Sequence, residues 1–268
     1  ASDLSGVGVE VRGVDLGTCG DGIVAELVRL MHLHGGVLCV RGQDLSPPQL
    51  EQALLRFSPH FGEPLKYDRW PGQSPGVPGC PHLATLGNYV AKADGEFGMD
   101  VRVGDRMAEY KPAKDEVEEW HTDGSFLPSP KVAIALYAPL KGGALPAEGG
   151  ATGFASCRAA WRALPEGERR RLAGLGSVHS WEAFMRFLEA RDPSREKVTD
   201  ADIARKPDQT WPLVRTHPTT GEHSLYINPK NTRRLVELAT GQPPEGMSDE
   251  EGVEEVKRLG GHVLDTGT

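Results

Sequence analysis

The 268-residue chain reads as a mixed α and β protein with a mainly-β core and helices packed outside it. Three observations lead there. Short apolar runs with period-two alternation recur along the chain, bounded by Gly and Pro. Amphipathic segments at helical spacing lie among them, but without the strict alternation of a parallel βαβ sheet. Gly (33) and Pro (21) also exceed average usage, as in a chain rich in turns and long loops.

Taken in order, "GVGVEVRGVDL" alternates like a strand. "GDGIVAELVRLMHLHG" places Ile23, Leu27, Leu30 and Met31 on one helical face, with Asp21 as N-cap and Gly35 as stop. "GVLCVRG" is a short strand. "SPPQLEQALLRFSPHFG" predicts a helix capped by Ser46, with Pro47 in its first turn and Gly62 at its end. Residues 64–118 read as irregular: "RWPGQSPGVPGCPH" is loop, "HLATLGNYV" a strand, and the polar stretch after it a lid or substrate-binding segment. "KVAIALYAPL" predicts a strand, and "GGALPAEGGATGFAS" a Gly-rich turn into another. "SCRAAWRALPEGERRRLAGL" and "SWEAFMRFLEARD" are helical by periodicity. "WPLVRTHPTTGEHSLYIN" is a hairpin around Thr219-Thr220-Gly221. "NPKNTRRLVELATG" and "SDEEGVEEVKRLGG" read as helices, the second with Ser248 and Glu251 forming a capping box.

Composition narrows the function. The net charge of −8 argues against a nucleic-acid binder, although a local Arg or Lys pocket still suits an anionic small molecule. No apolar run approaches the roughly 18 residues of a membrane span, and no signal peptide opens the chain. Cys19, Cys39, Cys80 and Cys157 are scattered, as expected of reduced thiols in a cytoplasmic protein. The partners expected are therefore a small-molecule substrate, no nucleic acid and no membrane. Homo-oligomerisation is left open.

The chemistry centres on "EEWHTDGSF", residues 118–126. Nine His and 38 acidic residues supply about one His-x-acid pair by chance, so His121-Thr122-Asp123 decides nothing alone. Its chemical sense is clear, however. On a strand, residues i and i+2 share a face roughly 7 Å apart. An imidazole and a carboxylate so placed can take two adjacent positions on one metal. Two His and one carboxylate with open positions form the non-haem Fe(II) oxygenase arrangement.

The surroundings strengthen the motif. The chain resembles the taurine dioxygenase/TfdA-like family of Fe(II)- and α-ketoglutarate-dependent dioxygenases. "GVEVRGVDL", "LHGGVLCVRGQDLSPPQLEQALLRFSPHFGEPL", "WHTDGSF", "GGATGFAS" and "VRTHPTTGEHSLYINPKNTRRLVEL" occur in the family's order along nearly the whole chain. The resemblance implies one domain over residues 1–268 with a double-stranded β-helix, or jelly roll. It implies Fe(II) held by His121 and Asp123, with 2-oxoglutarate and O₂ as co-substrates. Thr152 matches the Thr that bonds the keto acid, and Trp120 and Phe126 match the aromatic flanks of the motif. The implied activity is hydroxylation of a small organic acid or amine, with 2-oxoglutarate decarboxylated to succinate. Candidate substrate contacts are Tyr67, Trp70, Asn88 and Phe126.

The pattern also breaks. Sulfonate-using members carry a His and a Tyr after "FGE"; here "FGEPLKYDRW" offers Tyr67 and Trp70, so taurine itself is not supported. An aromatic pair suits an apolar or cationic moiety equally. The family's third ligand lies near the C-terminus in a strand resembling "WDNRxxxH", followed by an Arg that clamps the keto acid. This chain shows neither, and its last residues resemble the helix and turn before that strand. The expectation is a piece of a longer protein lacking its C-terminal strands. The alternatives are a catalytically inactive jelly-roll binding homologue and a cupin-like or epimerase-type metal protein. His217 is expected to anchor the hairpin, His223 to be solvated, His179 to be packed or capping, and His262 to lie in a terminal turn. Arg233 and Arg234 are expected on a helix.

Overall fold

A computed structural model describes residues 2–3, 6–67, 76–85, 89–91, 99–101, 120–138, 152–191, 193 and 197–267. Two compact units emerge: residues 1–111 with 132–154, and residues 112–131 with 155–268. Trp70, Asn88, the loop around residues 68–75 and most of the expected lid and of the Gly-rich turn lie outside the described residues. No helix among the described residues is long and apolar enough to cross a membrane.

The first unit is built on a three-stranded sheet. Strand β1 (Ser2–Asp3) runs antiparallel to β2 (Gly8–Val11), which pairs in parallel with β3 (Val37–Val40). Parallel strands need a crossover, and α1 (Asp21–Leu33) supplies it. That helix buries Val24, Leu27 and Val28, an i, i+3, i+4 set, and leaves Ile23 at the surface. Gly20 is its N-cap and Asp21 its first helical residue, so the helix starts one position earlier than the sequence suggested. Val9, Val11, Leu16, Leu27, Leu45 and Ala53 form the core.

Helix α2 (Pro47–Leu55) opens with a capping box between Ser46 and Gln49. The expected single helix to Phe61 breaks at Arg56–Phe57, and α3 (Ser58–Phe61) is one separate turn. Pro59 explains the break, because it has no N–H for the carbonyl of Leu55. The hairpins β4 (Gly76–Val77) with β5 (Cys80–Ala84) and β6 (Tyr89–Ala91) with β7 (Met99–Val101) follow. Buried Glu51 ties α2 to β5, accepting from the backbone N–H of His82 at 2.9 Å.

The predicted strand "KVAIALYAPL" is not one. Residues 131–138 are irregular, with Val132, Ile134 and Leu136 exposed. An alternating pattern becomes a strand only where a ladder partner exists, and none pairs with this stretch among the described residues. Tyr137 is anchored, its hydroxyl accepting from Leu45 N at 2.8 Å.

The second unit carries a three-stranded antiparallel sheet, in which β12 (Thr232–Glu237), β8 (Leu175–His179) and β9 (Gln209–Pro212) lie in that order. Helices α4 (Cys157–Ala163) and α5 (Glu166–Ala173) lead into β8 (Leu175–His179), whose five residues are all buried. After α6 (Trp181–Arg191) and α7 (Asp200–Ala204) comes β9 (Gln209–Pro212), and β10 (Val214–Thr216) pairs with β11 (His223–Leu225) as the expected hairpin. His217 Nδ1 accepts from Thr219 N and Thr220 N, each at 3.2 Å, which anchors the turn.

Residues 232–237 overturn the predicted helix: they are strand β12 (Thr232–Glu237), paired with β8. Arg233 and Arg234 accordingly sit on a strand. Local propensity of "RRLVEL" favours a helix, but pairing with a fully buried strand outweighs it. A bulge between Thr232 and Arg234 also breaks the period of two. Helix α8 (Asp249–Gly267) closes the unit, with Ser248 and Glu251 bonded reciprocally at 2.8 and 3.2 Å as predicted. The terminal turn expected at "GGH" is helical instead, and His262 Nε2 lies 2.9 Å from the carbonyl of Ala160. Gly252 is needed where α8 meets β12, since a Cβ there would stand 2.9 Å from Leu235 N. The core gathers Trp161, Leu172, Leu213, Leu225, Leu235 and Leu259.

Candidate functional site

His121 and Asp123 lie in the second unit. They do not share a strand, as the spacing suggested. Residues 120–122 are irregular and Asp123–Phe126 form a turn. The turn closes through Leu127 N donating to Gly124 O at 2.9 Å. Gly124 has φ +68, in the left-handed region, and a Cβ there would lie 3.0 Å from Leu127 Cδ1.

The two side chains nevertheless meet. His121 Nε2 lies 3.0 Å from Asp123 Oδ1, with side-chain exposures of 39% and 44%. The hydrogen bond from His121 holds the Asp123 carboxyl below its usual range, against an opposing effect of burial; Lys131 and Lys230 add to the lowering. Asp123 is therefore an anion at neutral pH beside an accessible imidazole nitrogen.

Behind the turn stands a buried polar cluster that sequence reading did not assign. Ser125 is fully buried, and its Oγ has three nitrogen neighbours. Asn228 Nδ2 is at 2.9 Å, Asn231 Nδ2 at 3.2 Å and His179 Nδ1 at 3.0 Å. Amide N–H₂ groups only donate, so the hydroxyl accepts from both and gives its own proton to His179 Nδ1. His179 then carries its proton on Nε2. Burial pushes its pKa down to about 4, which keeps the ring neutral.

Two further bonds reach the backbone of the motif. Asn228 Nδ2 donates to the Thr122 carbonyl at 2.7 Å, and Trp211 Nε1 donates to the Ser125 carbonyl at 2.7 Å. Phe126 is buried and its ring stacks on Phe184 at 6.0 Å, so in this structure it anchors the turn. The only signal for the cluster was the quoted stretch "YINPKN", which places Asn228 and Asn231 before β12 without showing what they face.

The other candidates lie in the first unit. Thr152 is exposed in an irregular stretch. Tyr67 is half-buried beside β4 and β5, its N–H donating to the Pro81 carbonyl at 2.7 Å.

The donor set fits a ferrous ion in kind, with one imidazole and one anionic carboxylate side by side. Among the described residues, no group of three or more His, Cys, Asp or Glu that could hold a metal is present.

Residues 1–266 match the family model described as "Taurine catabolism dioxygenase TauD, TfdA family". The chain is 31% identical over 205 residues to an alpha-ketoglutarate-dependent 2,4-dichlorophenoxyacetate dioxygenase of Cupriavidus pinatubonensis (strain JMP 134 / LMG 1197), covering 76% of this chain and 63% of that protein. It thus spans under two thirds of the length of that relative, as it does of a Pseudomonas putida sulfate ester dioxygenase (28% identical, over 82% of this chain and 63% of the relative). A crystal structure of a putative alpha-ketoglutarate dependent 2,4-D dioxygenase from Burkholderia xenovorans superposes with a TM-score of 0.59 at 22% identity, over 98% of this chain and 77% of the other. That likeness shows a shared fold. With the match running over nearly its whole length, the chain belongs to the TauD, TfdA family.

Proposed function

We propose that the chain belongs to an Fe(II)- and 2-oxoglutarate-dependent dioxygenase. It would hydroxylate a small organic acid or amine while 2-oxoglutarate is decarboxylated to succinate. The fold we assign is a jelly roll in one dioxygenase domain spanning residues 1–268, in a cytoplasmic protein. The free cysteines suit a reducing compartment. The observation that carries the reading is the 3.0 Å approach of His121 Nε2 to Asp123 Oδ1, half exposed and braced from behind by buried residues.

When bound, Fe(II) supplies the dioxygen activation that couples keto-acid decarboxylation to hydroxylation. The chain's own residues do the rest. His121 and Asp123 would hold the ion; for that, Nε2 must be free of the proton it shares with Asp123. The Asp123 charge offsets part of the metal's. Thr152 would offer its hydroxyl to the keto-acid carboxylate. Tyr67, Trp70 and Asn88 would shape the substrate site. Phe126 would serve it by holding the turn.

The test is succinate release by the full-length protein with Fe(II), ascorbate and 2-oxoglutarate. Asp123→Ala should abolish it, because the carboxylate that would hold the ion is lost. Retained succinate production in that variant would refute the assignment.

A further inference from the structure

We infer that Asn228 is a positioning residue for the metal-holding pair, an inference that rests on His121 and Asp123 being that pair. Among the described residues of the cluster, Asn228 alone bonds on both sides of Asp123: its Nδ2 is 2.7 Å from the Thr122 carbonyl and 2.9 Å from Ser125 Oγ. The Thr122 carbonyl belongs to the planar peptide that joins Thr122 to Asp123. Because the peptide is planar, holding its oxygen fixes the rotation of the whole unit. Together with the torsions on either side of Thr122, that rotation helps to set the angle between the Cα–Cβ directions of His121 and Asp123. The amide therefore acts on the quantity a metal site depends on, the mutual aim of its two donors.

The brace is itself rigid. Asn228 is fully buried, so water does not compete for its amide protons. Its carbonyl accepts from Asn231 N at 3.1 Å, Thr232 N at 3.0 Å and Thr232 Oγ1 at 2.9 Å. Thr232 begins β12 and reaches β8 through Ser177 Oγ at 3.0 Å. The sheet thus holds Asn228, and Asn228 holds the motif. Asn231 provides the internal control: it donates to the same Ser125 hydroxyl, and no bond from it to the Thr122 carbonyl is present. A purely structural role predicts that the two asparagines behave alike.

The experiment uses the full-length protein and Mn(II), followed by the electron paramagnetic resonance of free metal, with melting curves for each variant. Asp123→Ala should lose Mn(II) binding, which establishes the pair. Asn228→Ala should weaken Mn(II) tenfold or more relative to Asn231→Ala, in line with the 10–100-fold effects of residues that orient ligands. Both should melt below the parent by similar amounts. A smaller gap between the two variants overturns the inference while leaving the pair intact. If Asp123→Ala still binds Mn(II), the pair itself is wrong and the inference falls with it. If Asn228→Ala does not fold, Asn228→Asp is read in its place, since it keeps the shape and puts a carboxylate against the Thr122 carbonyl. Loss of folding by both assigns Asn228 a structural role and overturns the proposal.

Discussion

Gly124 carries much of the local geometry around the candidate site. The chain must reverse between Asp123 and Phe126 so that one side chain meets His121 and the other enters the core against Phe184. With φ at +68, an L side chain at position 124 is strained by roughly 1–2 kcal/mol. A methyl there would also press on Leu127. Gly124→Ala should therefore lower unfolding free energy by about 1–3 kcal/mol in urea titrations. An unchanged midpoint would rule out the left-handed turn. His121 and Asp123 were legible as a pair from their spacing, although the expected strand was not what brings them together. A turn achieves the same approach by a route that spacing alone does not reveal.

At the level of elements, sequence reading misjudged β12 and missed β8, for different reasons. β12 looks helical because "RRLVEL" lacks strict alternation, which its bulge removes. β8 looks like nothing because Gly176, Ser177 and His179 are small or polar yet buried. A strand covered on both faces need not advertise itself by hydrophobicity when its polar groups are bonded. The distinction is measurable. Leu235 is 1% exposed in β12 and Leu238 is 42% exposed after it. On a helix these two positions would share a face. Leu235→Ala should cost about 2–5 kcal/mol and Leu238→Ala about 0.5 kcal/mol or less. Comparable losses in chemical denaturation would restore the helix. Loss of the Ser248 cap, by Ser248→Ala, should cost about 1 kcal/mol through α8 alone.

For the molecule as a whole, the buried neutral His179 implies an acid sensitivity with a defined window. Its folded pKa, about 4, lies below the ordinary value of 6.5. Above pH 6.5 the ring is neutral in both states and stability is unaffected. As pH falls from 6.5 toward 4, the unfolded chain takes up a proton that the folded chain refuses, so stability falls. Below about 4 both states are protonated and the loss levels off. The integrated loss is about 3 kcal/mol. Carboxylates with lowered pKa, such as Asp202 at about 2 and Asp123, act at lower pH and are distinguishable by that. Urea unfolding at a series of pH values, on the parent and on His179→Gln, should show the 6.5-to-4 slope in the parent and its loss in the variant. Equal slopes would mean that another group carries the effect.

Local signals in the sequence determined a good deal by themselves. Capping residues placed the starts of α2 and α8, because the side chain and the N–H it satisfies are three residues apart. The hairpin at Thr219-Thr220-Gly221 followed from turn chemistry within six residues, and the anchoring role of His217 from the resemblance. The ordered motifs pointed to the family before any coordinate was known. What only the tertiary structure decided involves partners far apart in the chain. "KVAIALYAPL" has the pattern of a strand but no ladder partner among the described residues, whereas "TRRLVE" gains one from β8 more than fifty positions away. Asn228 and Thr122, 106 positions apart, meet only when β12 is in place. A sequence states what each residue can bond to nearby. Which distant donor removes a buried acceptor from water is settled by the chain that packs behind it.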